Sequence, residues 1–263
     1  MKKLPPLKKY GQNFLTDKNV INKIIESFSI NPDDLIVEIG PGRGALTEIL
    51  VERCKNFYAV EIDKGASNLL KERFPELNII HKDFLKFDLS GIAENLKLRV
   101  IGNIPYNITK PIILKLIKNR NIINDSMLMV QLEFAEKITA LKNHPDYGIM
   151  SVLMRHFTRT EICFKVTPNV FFPKPKVHSA VIKINFKSGE ETAHFPDDKI
   201  FTQIVNAAFS GRRKTLKNSL HNGIFADCNF DACGIDLSER AEQLEIEDFI
   251  KLANCATQQL KSK

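Results

Sequence analysis

The sequence predicts an α/β fold: a mostly parallel sheet of seven strands covered by helices on both faces, followed by a small all-helical domain. Three observations predict it. Seven short apolar runs of strand length occur before residue 187, and helical stretches separate the early ones. Alternation of that kind needs crossover connections, which pair strands in parallel. Beyond a polar segment at residues 188–198, apolar residues recur only at helical spacing.

Taken in order, Val20, Ile21, Ile24, Ile25 and Phe28 recur as a helix behind Asp17, a side chain suited to cap it, and Asn31-Pro32-Asp33-Asp34 ends that helix. The strand-like runs are Leu35 to Ile39, Phe57 to Ile62, Leu77 to Ile80, Leu98 to Gly102, Ser126 to Gln131, Glu161 to Val166 and Ala180 to Phe186. In the tail, Ile200, Phe201, Ile204, Val205, Ala208 and Phe209 form an apolar stripe, and two further helices are expected at Ser238 to Leu244 and Glu247 to Gln258. The expected organisation is a first domain at 1–187, a linker at 188–198 and a helical domain at 199–263.

The chain has 263 residues, 43% hydrophobic and 26% charged, enough apolar material for one large core and one smaller one. A net charge of +7 and a pI near 9.1 favour a polyanionic partner such as nucleic acid. Lys2, Lys3, Lys8 and Lys9 surround Pro5 and Pro6 without the apolar run of a secretory signal, and no stretch reaches the roughly 20 apolar residues of a membrane span. Cys54, Cys163, Cys228, Cys233 and Cys255 are scattered and odd in number, and the six histidines are equally dispersed. A reducing cytoplasm, no membrane and no metal site are the expectations.

The strand Leu35 to Ile39 runs into Gly40-Pro41-Gly42-Arg43-Gly44, and a helical Ala45 to Leu50 follows. Glycines there let backbone approach a ligand without a Cβ in the way. About twenty residues on, Glu61 ends the second strand, where a carboxylate can accept both ribose hydroxyls of an adenosine-containing ligand. A dinucleotide fingerprint would need its third glycine where Ala45 stands, which makes a dehydrogenase the weakest reading. Alternate glycines after the acidic Glu38 resemble instead the S-adenosylmethionine loop of class I methyltransferases. Asp83, after the third strand, is a pure acceptor able to take an adenine amino group, or else a turn cap.

The fourth strand ends at Asn103-Ile104-Pro105-Tyr106-Asn107, on the sheet edge where open α/β folds bind ligands. The nitrogen of an exocyclic adenine amine is a poor nucleophile because its lone pair is delocalised. Accepting its two N–H groups on the Asn103 amide oxygen and the Ile104 carbonyl would aim that lone pair at a methyl donor. Pro105 stiffens the turn, and Tyr106 offers a stacking face. Phe171-Phe172-Pro173-Lys174-Pro175-Lys176-Val177-His178-Ser179 is a second, proline-stiffened aromatic source. Arg212, Arg213, Lys214 and Lys217 gather cations at the start of the tail, suited to RNA phosphates.

Together these residues resemble the ribosomal RNA adenine dimethyltransferases over nearly the whole chain. The resemblance implies a class I methyltransferase fold, Rossmann-like, with S-adenosylmethionine as cofactor. Gly11-Gln12-Asn13-Phe14-Leu15-Thr16-Asp17 looks like the family's amino-terminal cofactor motif. It adds Gln12, Asn13 and Leu15 to Gly40, Gly42, Glu61, Ile62, Asp83, Phe84 and Asn103 as cofactor contacts. The family pattern Phe-x-Pro-x-Pro-Lys-Val falls on Phe171 to Val177, which makes Phe171 the stacking partner beside Asn103, Ile104, Pro105 and Tyr106. Phe209 to Leu216 and the downstream helices resemble the bacterial small-subunit branch. That branch dimethylates two adjacent adenosines in the 3′-terminal hairpin of 16S rRNA late in 30S assembly; the implied partner is 16S rRNA in the 30S subunit or its late precursor, and the implied state a monomer. Ile104 stands where this branch usually has leucine. The rival readings are an Erm-type 23S rRNA methyltransferase and a noncatalytic rRNA-binding assembly or transcription factor.

Overall fold

The computed structural model describes residues 5–7, 10–93, 96–192, 195–211, 213–221 and 223–261, and one seven-stranded sheet organises its first unit. That unit comprises Met1–Ala135 with Arg159–Phe186; a second comprises Glu136–Thr158 with Lys187–Lys263. In chain order the elements are β1 (Phe14–Leu15), α1 (Lys18–Phe28), β2 (Leu35–Ile39), α2 (Thr47–Arg53), β3 (Asn56–Glu61), α3 (Lys64–Arg73), β4 (Asn78–His81) and β5 (Leu98–Asn103). Then come α4 (Thr109–Lys118), β6 (Ile123–Gln131), α5 (Leu132–Thr139), α6 (Ile149–Phe157), β7 (Thr158–Val166), β8 (Phe171–Phe172) and β9 (Ser179–Phe186). The tail contributes α7 (Asp198–Ala208), α8 (Leu216–Leu220) and α9 (Ile246–Lys261).

The sheet runs β4-β3-β2-β5-β6-β9-β7. Its first five strands are parallel and β9 is antiparallel to β6. All five residues of β2 are buried, as a strand covered on both faces requires. Each of the seven expected strands is present. The starts of β6 and β7 lie three residues earlier than expected, because the polar Asn124 and Asp125 disguise β6 and Thr158 to Thr160 disguise β7.

Asp125 is polar and yet 3% exposed because it faces Arg99. Arg99 Nε donates to Asp125 Oδ1 at 2.8 Å and Nη2 to Oδ2 at 2.7 Å, while Nη1 reaches Asp34 Oδ2 at 2.5 Å. The same guanidinium donates to the carbonyls of Phe28 and Ser29 at 2.6 and 3.0 Å. Those are end-of-helix carbonyls with no intrahelical partner, so Arg99 caps α1 from below. At the other end of α1, Asp17 Oδ1 accepts from Val20 N at 3.0 Å. Ile21, Ile24, Ile25 and Phe28 form its buried face.

In the second unit α7 starts on Asp197, whose Oδ1 accepts from Lys199 N and Ile200 N at 2.9 and 3.0 Å. It buries Phe201, Ile204, Val205 and Ala208. The expected domain boundary needs correction, since residues 136–158 join the tail's unit rather than a domain spanning 1–187. The cause is α6, which buries Met150, Val152, Leu153, Met154 and Phe157 around its circumference and so needs cover on more than one side. Phe201 of α7 supplies part of it, with the His156 ring stacked on Phe201 at 3.7 Å between centroids. The helix expected at Ser238 to Leu244 is only a 3₁₀ turn, Ala241–Gln243. Asp236 Oδ1 takes the Ser238 N–H and Gln243 Oε1 takes the Arg240 N–H, local bonds that compete with a helix. Among the described residues no helix is long and apolar enough to cross a membrane.

Candidate active site

A cavity of about 360 Å³ opens among the segments that follow β2, β3, β4 and β5, with residues 10–15 along one side. Gly42 has φ +56, and a Cβ there would lie 2.9 Å from Phe14 Cε1, so both conformation and space demand glycine. Its N–H donates to Glu61 Oε2 at 2.9 Å, and Asp63 N donates to Oε1 at 2.8 Å. The glycine loop and the acidic strand end are thereby one locked unit. Burial raises the Glu61 pKa, opposed by the N–H groups of Asp63 and Gly42.

Glu38, at 2% exposure, accepts from Thr47 Oγ1 at 2.7 Å. Burial pushes its pKa up to about 8, with the Thr47 hydroxyl opposing and Glu61 adding repulsion. A raised acid stabilises the fold fully below its ordinary pKa near 4.5, and that contribution is lost as pH climbs toward 8. Wild-type stability should therefore fall between pH 5 and 8 by up to about 1.4 kcal/mol per unit, and Glu38→Gln should flatten the decline. Parallel melting curves for the two proteins across that range would refute this.

Asn103 is fixed from a distance. Its Nδ2 donates to the Asn13 carbonyl at 2.8 Å. Turning the amide over would set carbonyl oxygen against carbonyl oxygen, so the contact decides which end is which and commits Oδ1 as the acceptor. Asn13 is held in turn because β1 pairs antiparallel with β8, Phe14 opposite Phe172 and Leu15 opposite Phe171, and Thr16 N reaches Val170 O at 2.9 Å. Tyr106 is half-buried, and its hydroxyl lies 2.6 Å from Ser179 Oγ at the start of β9. Burial raises the Tyr106 pKa against the Ser179 bond, which keeps the phenol neutral.

Gln12, Asn13, Leu15, Gly40, Gly42, Glu61, Ile62, Asp83, Phe84, Asn103, Ile104, Pro105 and Tyr106 all line this cavity. Phe171 does not: it is 5% exposed and packs in the core with Leu15, Ile24 and Val181, so its ring offers no stacking face here. Phe172 is the exposed ring, at 53%. Asp83 serves as a turn cap, accepting from Leu85 N at 2.9 Å, and lines the cavity as well. The sequence carries no sign of Lys115, whose Nζ donates to the carbonyls of Phe84 at 2.6 Å, Leu85 at 3.1 Å and Phe87, pinning the turn that carries Asp83 and Phe84. Nor did it single out Ser179 or Arg43.

Of the four tail cations, Arg212 lies outside the described residues, whereas Arg213, Lys214 and Lys217 are exposed on the second unit. Arg213 also lines a cleft there with His144, Arg240 and Gln243.

The family model described as Ribosomal RNA adenine dimethylase matches residues 7–258. A Clostridium botulinum (strain Loch Maree / Type A3) protein named Ribosomal RNA small subunit methyltransferase A is 41% identical over 256 residues, covering 94% of this chain and 93% of its own. One of the same name from Chlorobium phaeobacteroides (strain DSM 266 / SMG 266 / 2430) is 44% identical over 245 residues, covering 93% and 89%. Among solved structures, a dimethyladenosine transferase from Plasmodium falciparum has the same fold, with a TM-score of 0.77 at 24% identity over 91% of this chain and 95% of that one. The 23S rRNA methyltransferase ErmE gives 0.68 at 25% identity over 93% and 99%. With the seven-stranded sheet, the glycine loop locked to Glu61 and the oriented Asn103 amide already in place, these matches settle the family: the chain belongs to the ribosomal RNA adenine dimethylases.

Proposed function

We propose that this chain transfers methyl groups from S-adenosylmethionine to the N6 amines of two adjacent adenosines in the 3′-terminal hairpin of 16S rRNA, within the 30S subunit or its late precursor. The observation that carries the reading is the Asn103 amide, turned by the Asn13 carbonyl so that its oxygen is the end left to accept an N–H. The small-subunit names of relatives at 41% and 44% identity favour 16S over 23S rRNA.

The cavity suits the cofactor by its donor set. Glu61 would take the ribose hydroxyls, Asp83 the adenine amine, and Ile62 and Phe84 the flanks of the adenine ring, while Gly40 and Gly42 leave room for the chain near Gln12, Asn13 and Leu15. When bound, S-adenosylmethionine supplies an electrophilic methyl group. The chain's own residues then align the amine: Asn103 Oδ1 and the Ile104 carbonyl accept its two N–H groups in the first transfer and one of them the single N–H that remains in the second, Pro105 holds the turn, and Tyr106 stacks on the base, a contact typically worth about 1–3 kcal/mol. The Ser179 hydroxyl fixes the Tyr106 ring. The proton of the methylated nitrogen leaves to water, so no strong base is needed, and alignment can supply roughly 7–11 kcal/mol of the barrier. Arg212, Arg213, Lys214 and Lys217 take RNA phosphates, and the enzyme works as a cytoplasmic monomer.

Labelled methyl transfer to unmethylated 30S particles, with naked 23S rRNA in parallel and the products mapped, tests this. Dimethyladenosine at the adjacent pair near the 3′ end of 16S rRNA is expected. Label in 23S alone, or no label despite particle binding, would overturn it.

A further inference from the structure

The exposed Phe172 ring lies outside the cavity lining, although its ladder partner Phe14 and the nearby Arg43 belong to it. The Arg43 guanidinium sits 4.3 Å from the Phe14 ring centroid and 5.3 Å from that of Phe172. A guanidinium charge beside two rings places positive charge next to an aromatic face, the combination that suits a phosphate and its base. Lys174 and Lys176, both exposed, follow Phe172 in the same loop. A large aromatic face left in water among cations on a chain of net charge +7 matches one kind of partner: an unpaired nucleotide, apolar on its base faces and anionic at its phosphate.

We propose that Phe172 and Arg43 form a stacking platform for a second, unpaired RNA base, distinct from the adenine being methylated. The methylated base belongs to the cavity with Asn103 and Tyr106, and Phe172 does not line that cavity. A base on Phe172 therefore sits outside it, with its phosphate near Arg43. The inference rests on the RNA-methylating reading above and adds a contact that holds the strand beside the adenosine being methylated.

The chain contains no tryptophan, so Phe172→Trp installs a single reporter at the platform. Titrating the full-length variant with a single-stranded RNA oligonucleotide, and separately with unmethylated 30S particles, should quench its fluorescence saturably. A fully paired duplex, whose base faces are covered, should quench it far less. In methyl-transfer assays Phe172→Ala should raise KM for RNA roughly 5- to 100-fold relative to Phe172→Trp, with KM for S-adenosylmethionine within about twofold of wild type. Unchanged fluorescence at saturating RNA, or an RNA KM unaltered by Phe172→Ala, would overturn the platform. So would a rise in the S-adenosylmethionine KM in its place, since that would assign Phe172 to the cofactor. If the wild type labels no 16S rRNA, the substrate reading fails on its own, and the tryptophan signal still reports whether RNA stacks at this position.

Discussion

Asn103→Ala is expected to slow single-turnover methyl transfer by about 100- to 1,000-fold, the range seen when one preorganised hydrogen-bonding group is removed from a reacting centre. The substitution deletes the acceptor for one amine N–H and lets the amine rotate out of line. Binding of RNA should persist, because the tail cations and the aromatic contacts are untouched. Asn103→Asp separates positioning from simple acceptance: a carboxylate oxygen would face the Asn13 carbonyl that now receives Nδ2 at 2.8 Å, so the variant should also lose rate although it still offers acceptors. A single-turnover rate equal to wild type in the alanine variant would remove Asn103 from the mechanism.

The largest stability effect is expected at Arg99. Replacing it by methionine keeps much of the volume but strands Asp125, which is 3% exposed, and leaves the last carbonyls of α1 without their cap. Removing one partner of a buried pair typically costs about 3–5 kcal/mol. Burial works against the Arg99 charge, yet Asp125 and Asp34 outweigh it and keep the guanidinium protonated. Arg99→Met with Asp125→Leu should recover part of the loss, because two apolar groups need no pairing. Denaturant titration checks this. A midpoint for the single variant within error of wild type would mean that the network contributes nothing net.

Much of this architecture is readable from the chain because its signals are local. Leu35 to Ile39 is apolar but for Glu38 and runs into glycine, and the observed strand has the same ends. Glu61 and Asn103 could be placed at strand ends and Asp83 just after one, and all three line one cavity. What escaped depends on contacts between distant residues. Asn13 and Asn103 are ninety positions apart, and no periodicity links them. A two-residue strand such as β8 shows no alternation, so which of Phe171 and Phe172 points inward was invisible; pairing with β1 puts Phe171 beside the core and Phe172 in water. The placement of α6 escaped for the same reason, since an apolar circumference declares that a helix is covered without naming the cover.

The ladder between β1 and β8 also bears on biosynthesis. Asn13 is made well before Phe171 and Phe172, which pin its neighbours and follow every strand of the parallel part of the sheet in the chain. Until then the nascent chain can hold the glycine loop and Glu61 and still lack the strut that sets the Asn103 amide. The orientation of the Asn103 amide therefore waits on residues made far downstream of it.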